Sequence, residues 1–192
     1  MSRYPPIPQD AQTPEQQRVE AGAREILARV PDHVQLTGPS GALLGPYSSL
    51  PYTPDLITPW LNLASAIDAQ PGLSAKEKEL STLATLSEHN APYILYAHSE
   101  VALEAGLSRA QIDDAKSGRT PAGLTDIEAA VYALALEMTR SRGPILDGVF
   151  GPAVDVLGRE KVARIAHVVG GFGYVALLAN LAAEVGVEVV KD

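Results

Sequence analysis

Residues 76–106 read KEKELSTLATLSEHNAPYILYAHSEVALEAG, and this stretch decides the fold. Just ahead of it Ser74 and Glu77 stand three apart, the spacing at which a Ser hydroxyl and a Glu carboxylate each satisfy the other's backbone N–H at a helix start. The apolar run behind them predicts a helix to about Ser87. Asn90 is read as the N-cap of a second helix that runs to Ala105 and stops at Gly106, so the stretch predicts a helical hairpin. On the second helix Ala91, Ile94 and His98 follow at i, i+3 and i+7 and share one face. In an antiparallel hairpin Glu79, early in the first helix, comes opposite His98, late in the second, and a carboxylate–imidazole contact is expected.

Outward from the hairpin the same start signal recurs. Ser108 with Gln111 and Thr125 with Glu128 open a short helix to about Lys116 and a longer one to about Arg140, with Gly118 and Gly143 as punctuation. Pro144 to Leu157 is helical in pattern but interrupted by Gly148 and Gly151. Arg159 to Glu184 is the longest apolar helical run in the chain. Inside it Gly170-Gly171-Phe172-Gly173 lacks side chains where a helix favours them, which predicts close packing or a kink. Upstream, Thr53-Pro54 opens a helix to about Asp68 with Ile57, Trp60, Leu61, Ala64 and Ile67 along one stripe and Trp60 in the core. Thr13, Pro14 and Gln16 open another, roughly 14 to 30, whose face carries Val19, Ala23, Ile26, Leu27 and Val30. Between them, residues 31–54 hold four Gly or Pro clusters and read as a long irregular connection; Leu43, Leu44, Tyr47, Leu50 and Tyr52 predict that it packs down. Nothing requires a strand. The expectation is an all-α bundle of about seven or eight helices: an extended arm over 1–12, then a single helical domain over 13–192 with the 75–105 hairpin packed on the 159–184 helix.

Composition narrows the chemistry. The chain of 192 residues has a formal net charge of -8, and its Lys and Arg are scattered, which excludes a binder of the nucleic-acid backbone. Zero Cys removes disulfides, thiolate nucleophiles and Cys-based metal sites together. The N-terminus lacks an apolar leader and no window is read as a membrane span, so no membrane partner is expected and the expected location is cytoplasmic. His33, His89, His98 and His167 include no i, i+4 pair and no convergent carboxylates, so no metal is expected. Gly170, Gly171 and Gly173 follow no strand and are not a phosphate loop; no cofactor is expected.

The hairpin resembles the AhpD-like superfamily, in which a Glu is followed 12 residues later by the first Cys of a Cys-x-x-Cys pair and then by a His. Counting from Glu79 gives Ala91, Ile94 and His98: the Glu and His are kept and both thiols are replaced. In the carboxymuconolactone decarboxylase branch a Tyr-Glu-x-x-x-His pattern is common; Tyr93 and His98 match it, and Ile94 stands at the Glu. The likeness extends over about residues 36–186, through GPSGALLGPYSSLPY at 38–52, Leu73 to Glu77, Ala105 to Ser108 and the Gly-aromatic helix with Asn180.

This resemblance implies an AhpD-like helical bundle that assembles as a homo-oligomer, a trimer or a hexamer of paired subunits, with the apolar C-terminal helix as interface. It implies cofactor-free, lyase-type proton transfer on a small oxygenated acid, lactone-like or unsaturated. His98 is the expected acid or base and Glu79 its orienter, with Ala91, Tyr93, Ile94, Tyr96 and His167 expected around the substrate pocket. Decarboxylation of this kind leaves an enolate-like carbanion that needs an acid and oxyanion donors but no metal. A biosynthetic isomerase, dehydratase or cyclase in the same pocket, and a non-catalytic ligand-binding protein on the same scaffold, stand as alternatives. Thiol peroxidase chemistry is excluded by the missing cysteines.

Overall fold

The computed structural model describes residues 3–5, 7–28, 30–38 and 41–182, and seven α-helices carry these residues: α1 Pro14–Leu27, α2 Pro54–Ala69, α3 Ala75–His89, α4 Pro92–Glu104, α5 Arg109–Lys116, α6 Asp126–Arg140 and α7 Asp147–Ala182. No strand forms among the described residues; one isolated bridge pairs Thr37 with Leu43. α7 is two helices in one, since Gly158 (φ 76°, ψ 153°) breaks it where the sequence divides Leu157 from Arg159. The fold is the expected all-α bundle.

Its helix starts follow from local chemistry. The reciprocal side-chain-to-backbone box forms at Ser74/Glu77, Ser108/Gln111 and Thr125/Glu128. It forms at α1 as well, where the Thr13 N–H donates to Gln16 Oε1 over 2.8 Å and the Gln16 N–H to Thr13 Oγ1 over 3.2 Å. Asn90 is a correction: it caps the end of α3 in the left-handed conformation (φ 45°), and α4 starts behind Ala91 with Pro92 in its first turn. Asn is tolerated in that left-handed position as well as favoured at an N-cap, so residue type does not distinguish the two roles.

α3 is the centre of the bundle. Glu77 and every residue from Glu79 to Leu86 are buried, and the helix packs on α4, α5, α6 and α7. Leu80, Leu83 and Leu86 are fully buried, each worth roughly 2 kcal/mol of removal from water. The buried hydroxyls of Ser81, Thr82 and Thr85 donate to the carbonyls of Glu77, Lys78 and Ser81 one turn back, which lets a polar-looking helix sit in an apolar core. On α7, Ile165 and Val168 join this core with Val131 and Tyr132 of α6. α7 has the length and apolar composition to cross a membrane, contrary to the expectation from sequence, but its inner face is built into the core of the bundle. The Gly170–Gly173 stretch stays helical; at Gly171 a Cβ would lie 3.0 Å from Ile67 Cδ1, so close packing on α2 accounts for that glycine.

The connection between α1 and α2 packs down as expected. Two short 3₁₀ turns, Gly45–Ser48 and Leu50–Tyr52, bring Leu50 onto Val19 and Ile57. Trp60 is half-buried between Tyr47 and Tyr174, with ring centroids 5.8 and 6.0 Å away. The N-terminal arm lies across the bundle: the Arg3 N–H donates to the Ala182 carbonyl over 2.9 Å, and the Tyr52 hydroxyl donates to the Pro5 carbonyl over 2.6 Å. The side chain of Ile26, and Ala183 and Glu184 of the expected last helix, lie outside the described residues.

Candidate active site

The hairpin brings together the two residues its spacing selected. His98 Nδ1 lies 2.9 Å from Glu79 Oε2, with the side chains 22% and 11% exposed. With Nδ1–H donating to the carboxylate, the neutral imidazole presents its lone pair at Nε2. Nε2 makes no hydrogen bond among the described residues. Glu79 comes from the most buried helix in the bundle, so it holds the ring from a rigid base.

A third contact was not read from the sequence. Phe172 of α7 meets the imidazole with ring centroids 4.7 Å apart and planes at 85°, an edge-to-face arrangement. The signal that could have found it is a lone aromatic inside Gly170-Gly171-Phe172-Gly173, where small neighbours let one large ring reach inward. His98 is thus fixed by α3 through a charge and by α7 through a ring.

The other expected pocket residues divide. Ala91 and Ile94 lie on the His98 side of the hairpin, but both are buried in a cluster with Leu86, Ala176 and Ala179. Both pack the core between α4 and α7 and do not line an open cavity. Tyr93 and Tyr96 point elsewhere: at about 100° per residue they leave α4 about 140° and about 160° away from His98. There they bracket one peptide of the long connection. Tyr93 Oη donates to the Gln35 carbonyl over 3.0 Å, and the Gln35 N–H donates to Tyr96 Oη over 3.3 Å. Gly45 (φ 67°) lies under the Tyr93 ring, where a Cβ would come within 2.3 Å of it. His167 is exposed on α7, about 140° around the helix from Phe172, and is not brought to the pair.

The charges around the hairpin are matched locally. Burial alone would raise the Glu77 carboxyl, but its hydrogen bond from Lys161 Nζ (2.5 Å) and those from Ser74 hold it below its ordinary value of 4.5. Lys76 pairs with Glu128 at 3.1 Å, and Lys78 donates to the Asp68 carbonyl. Among the described residues no three His, Asp or Glu side chains converge as a metal site would require. A separate pocket opens between the arm, α1 and the connection, lined by Ile7, Gln12, Val19, Glu20, Leu43 and Tyr47 among others; it shares no residue with the His98 site. Burial there pushes the Tyr47 hydroxyl up to about 12.

Three comparisons bear on this arrangement. Residues 54–137, which hold α2 to α5 and most of α6, match the model of the carboxymuconolactone decarboxylase family. No curated protein matches the sequence. Among solved structures the chain is similar to a Cys-to-Ala variant of the debrominase Bmp8 in complex with 2,3,4-tribromopyrrole, with a TM-score of 0.73 and 18% identity over 97% of this chain and 93% of that one. At that identity the likeness is one of fold.

Proposed function

We propose that this chain, whose residues 54–137 match the model of the carboxymuconolactone decarboxylase family, is a cofactor-free acid–base enzyme acting on a small oxygenated substrate, a lactone-like or unsaturated acid. The observation that carries this reading is the His98–Glu79 pair, with Nδ1 held at 2.9 Å and Nε2 without a hydrogen bond among the described residues. A carboxylate that fixes one ring nitrogen orients the other and stabilises the imidazolium formed when it accepts a proton. In a decarboxylation the bond to the carboxyl carbon breaks, its electron pair is delocalised onto the neighbouring carbonyl as an enolate, and Nε2–H of protonated His98 delivers a proton to carbon. Water then returns a proton to the ring. In an isomerisation the same nitrogen removes a proton from one carbon and returns it to another.

The brominated pyrrole in the debrominase complex supports a small cyclic substrate on this scaffold. Thiol chemistry has no donor in this sequence. A water-soluble cytoplasmic enzyme with a small-molecule substrate fits a chain of acidic balance whose longest apolar helix contributes to the core. The second reading, a ligand-binding protein on the same scaffold, draws on Tyr93 and Tyr96. Tyr93 spends its hydroxyl hydrogen on the Gln35 carbonyl, and Tyr96, which accepts from the Gln35 N–H, leaves α4 about 160° away from His98, so neither supplies the oxyanion donor that decarboxylation asks for.

The deciding experiment is a screen of unsaturated lactone acids and their open-chain isomers against the purified protein, with mass-spectrometric detection of carbon dioxide loss or isomer formation. Product that appears with the wild type and not with His98→Ala supports the enzyme. Saturable binding without turnover across the screen favours the second reading.

A further inference from the structure

The inward stripe of α7 runs through Ile165, Val168, Phe172, Ala176 and Ala179, at the three- and four-residue spacings of one helix face. Four of these side chains are buried, and Phe172 alone is only half-buried. It falls where the stripe passes from one core to another. Ile165 and Val168 belong to the main cluster, Ala176 and Ala179 to the smaller one with Leu86, Ala91 and Ile94. Among the described residues only Phe172 and Leu95 pack against both of these clusters, and Leu95 stands one turn before His98 on α4. The imidazole therefore meets α7 at the junction of two cores, and the ring that fills the junction is the one that touches it, edge to face at 4.7 Å.

Glu79 leaves one freedom of His98 unsettled. The hydrogen bond from Nδ1–H to Oε2 fixes one point of the ring, while rotation of an imidazole about its Cβ–Cγ bond has broad wells rather than sharp staggered ones. Rocking about that point swings Nε2, the nitrogen that exchanges the proton. A flat side chain set at 85° to the imidazole and seated in two cores is a stop against this swing. We propose that Phe172 is a positioning residue: it sets the plane of the His98 imidazole, and so the direction in which Nε2 gives and takes a proton. This rests on the acid–base reading of the His98–Glu79 pair. Gly171 serves the same end, because a Cβ there would lie 3.0 Å from Ile67 Cδ1 and its absence lets α7 sit close to α2 beside the ring. With both the point and the plane of the imidazole fixed, Nε2 addresses one face of a planar enolate carbon. The proton then reaches that face only, and the product is a single stereoisomer.

The test uses the full chain with ¹³C-labelled histidine rings, and its first arm needs no substrate. Carbon relaxation should give the His98 ring an order parameter of about 0.85, that of rigid backbone, falling below about 0.6 in Phe172→Leu and returning in Phe172→Tyr, which keeps the aromatic ring. The helical circular-dichroism signal should be the same in all three proteins. The second arm takes a substrate returned by the lactone-acid screen. Phe172→Leu should lower kcat by about 10- to 100-fold with KM changed less than about 3-fold, and Phe172→Tyr should keep most of the turnover. In deuterated water the wild type should place deuterium on one face of the product carbon and Phe172→Leu on both. A His98 ring that is mobile in the wild type, an order parameter unchanged in Phe172→Leu, or a loss carried by KM alone would each overturn the proposal. A wild type that turns over nothing in the screen counts against the acid–base reading, while the order parameters still decide whether Phe172 holds the imidazole. If Phe172→Leu fails to fold, Phe172→Met takes its place.

Discussion

His98 is where chemistry separates from folding. It adds one hydrogen bond and one ring contact to the structure and stands outside the buried core. His98→Ala is expected to lower turnover of the true substrate by about 10²- to 10⁴-fold while keeping a cooperative thermal transition. Glu79→Gln keeps an acceptor beside Nδ1 and should lose less; retention of more than about a third of turnover by His98→Ala would return the histidine to a packing role. Gly45 is the opposite case, structural and without chemistry of its own. Gly45→Ala places a Cβ within 2.3 Å of the Tyr93 ring at a positive φ, and chemical denaturation should show a loss of about 2–4 kcal/mol. The Glu79–His98 contact was legible because both residues lie on one hairpin, where spacing and helix period determine facing. Phe172 was not, because its approach depends on how α7 packs. The direction of Tyr93 and Tyr96 was legible in the period of α4, but only the position of the long connection reveals that Gln35 receives them.

Among the elements, the helix starts were the most legible, since a capping box is complete within four residues. Boundaries set by backbone conformation are less so: Asn suits either end of a helix, and only the left-handed backbone of Asn90 puts it at the end of α3. Gly158 combines φ 76° with ψ 153°, a region essentially reserved for glycine. Gly158→Ala should cost about 1–3 kcal/mol, read as a Tm lowered by roughly 2–4 °C per kcal/mol. Glu77 ties the start of α3 to Lys161 of α7, and its effect depends on pH. Its carboxyl titrates below 4.5 in the fold, so its contribution is complete above that pH and is lost as pH falls through the lower folded value. Glu77→Gln preserves the capping box but not the charge. It should reduce stability by about 1–2 kcal/mol near neutral pH, and the gap in Tm between variant and wild type should close below pH 4.5.

For the molecule as a whole, the absence of cysteine sets a chemical boundary that the scaffold does not. Purified protein should not reduce alkyl hydroperoxides with a dithiol donor, and a rate clearly above the protein-free blank would refute this, because neither Met1 nor Met138 can cycle through a thiolate. The all-α class and the order of helices were readable from periodicity and caps; how α7 faces outward depended on which of its sides the bundle buries. That architecture also shapes how such a site can change. Glu79 stands on a helix enclosed on every side, where a new side chain disturbs the packing of four neighbours. Phe172 is only half-buried and comes from a helix with one face outside the bundle, so its replacement disturbs less of the core. Descendants of this chain can therefore acquire new substrates by trading the ring at 172, while the carboxylate at 79 stays as the inherited anchor.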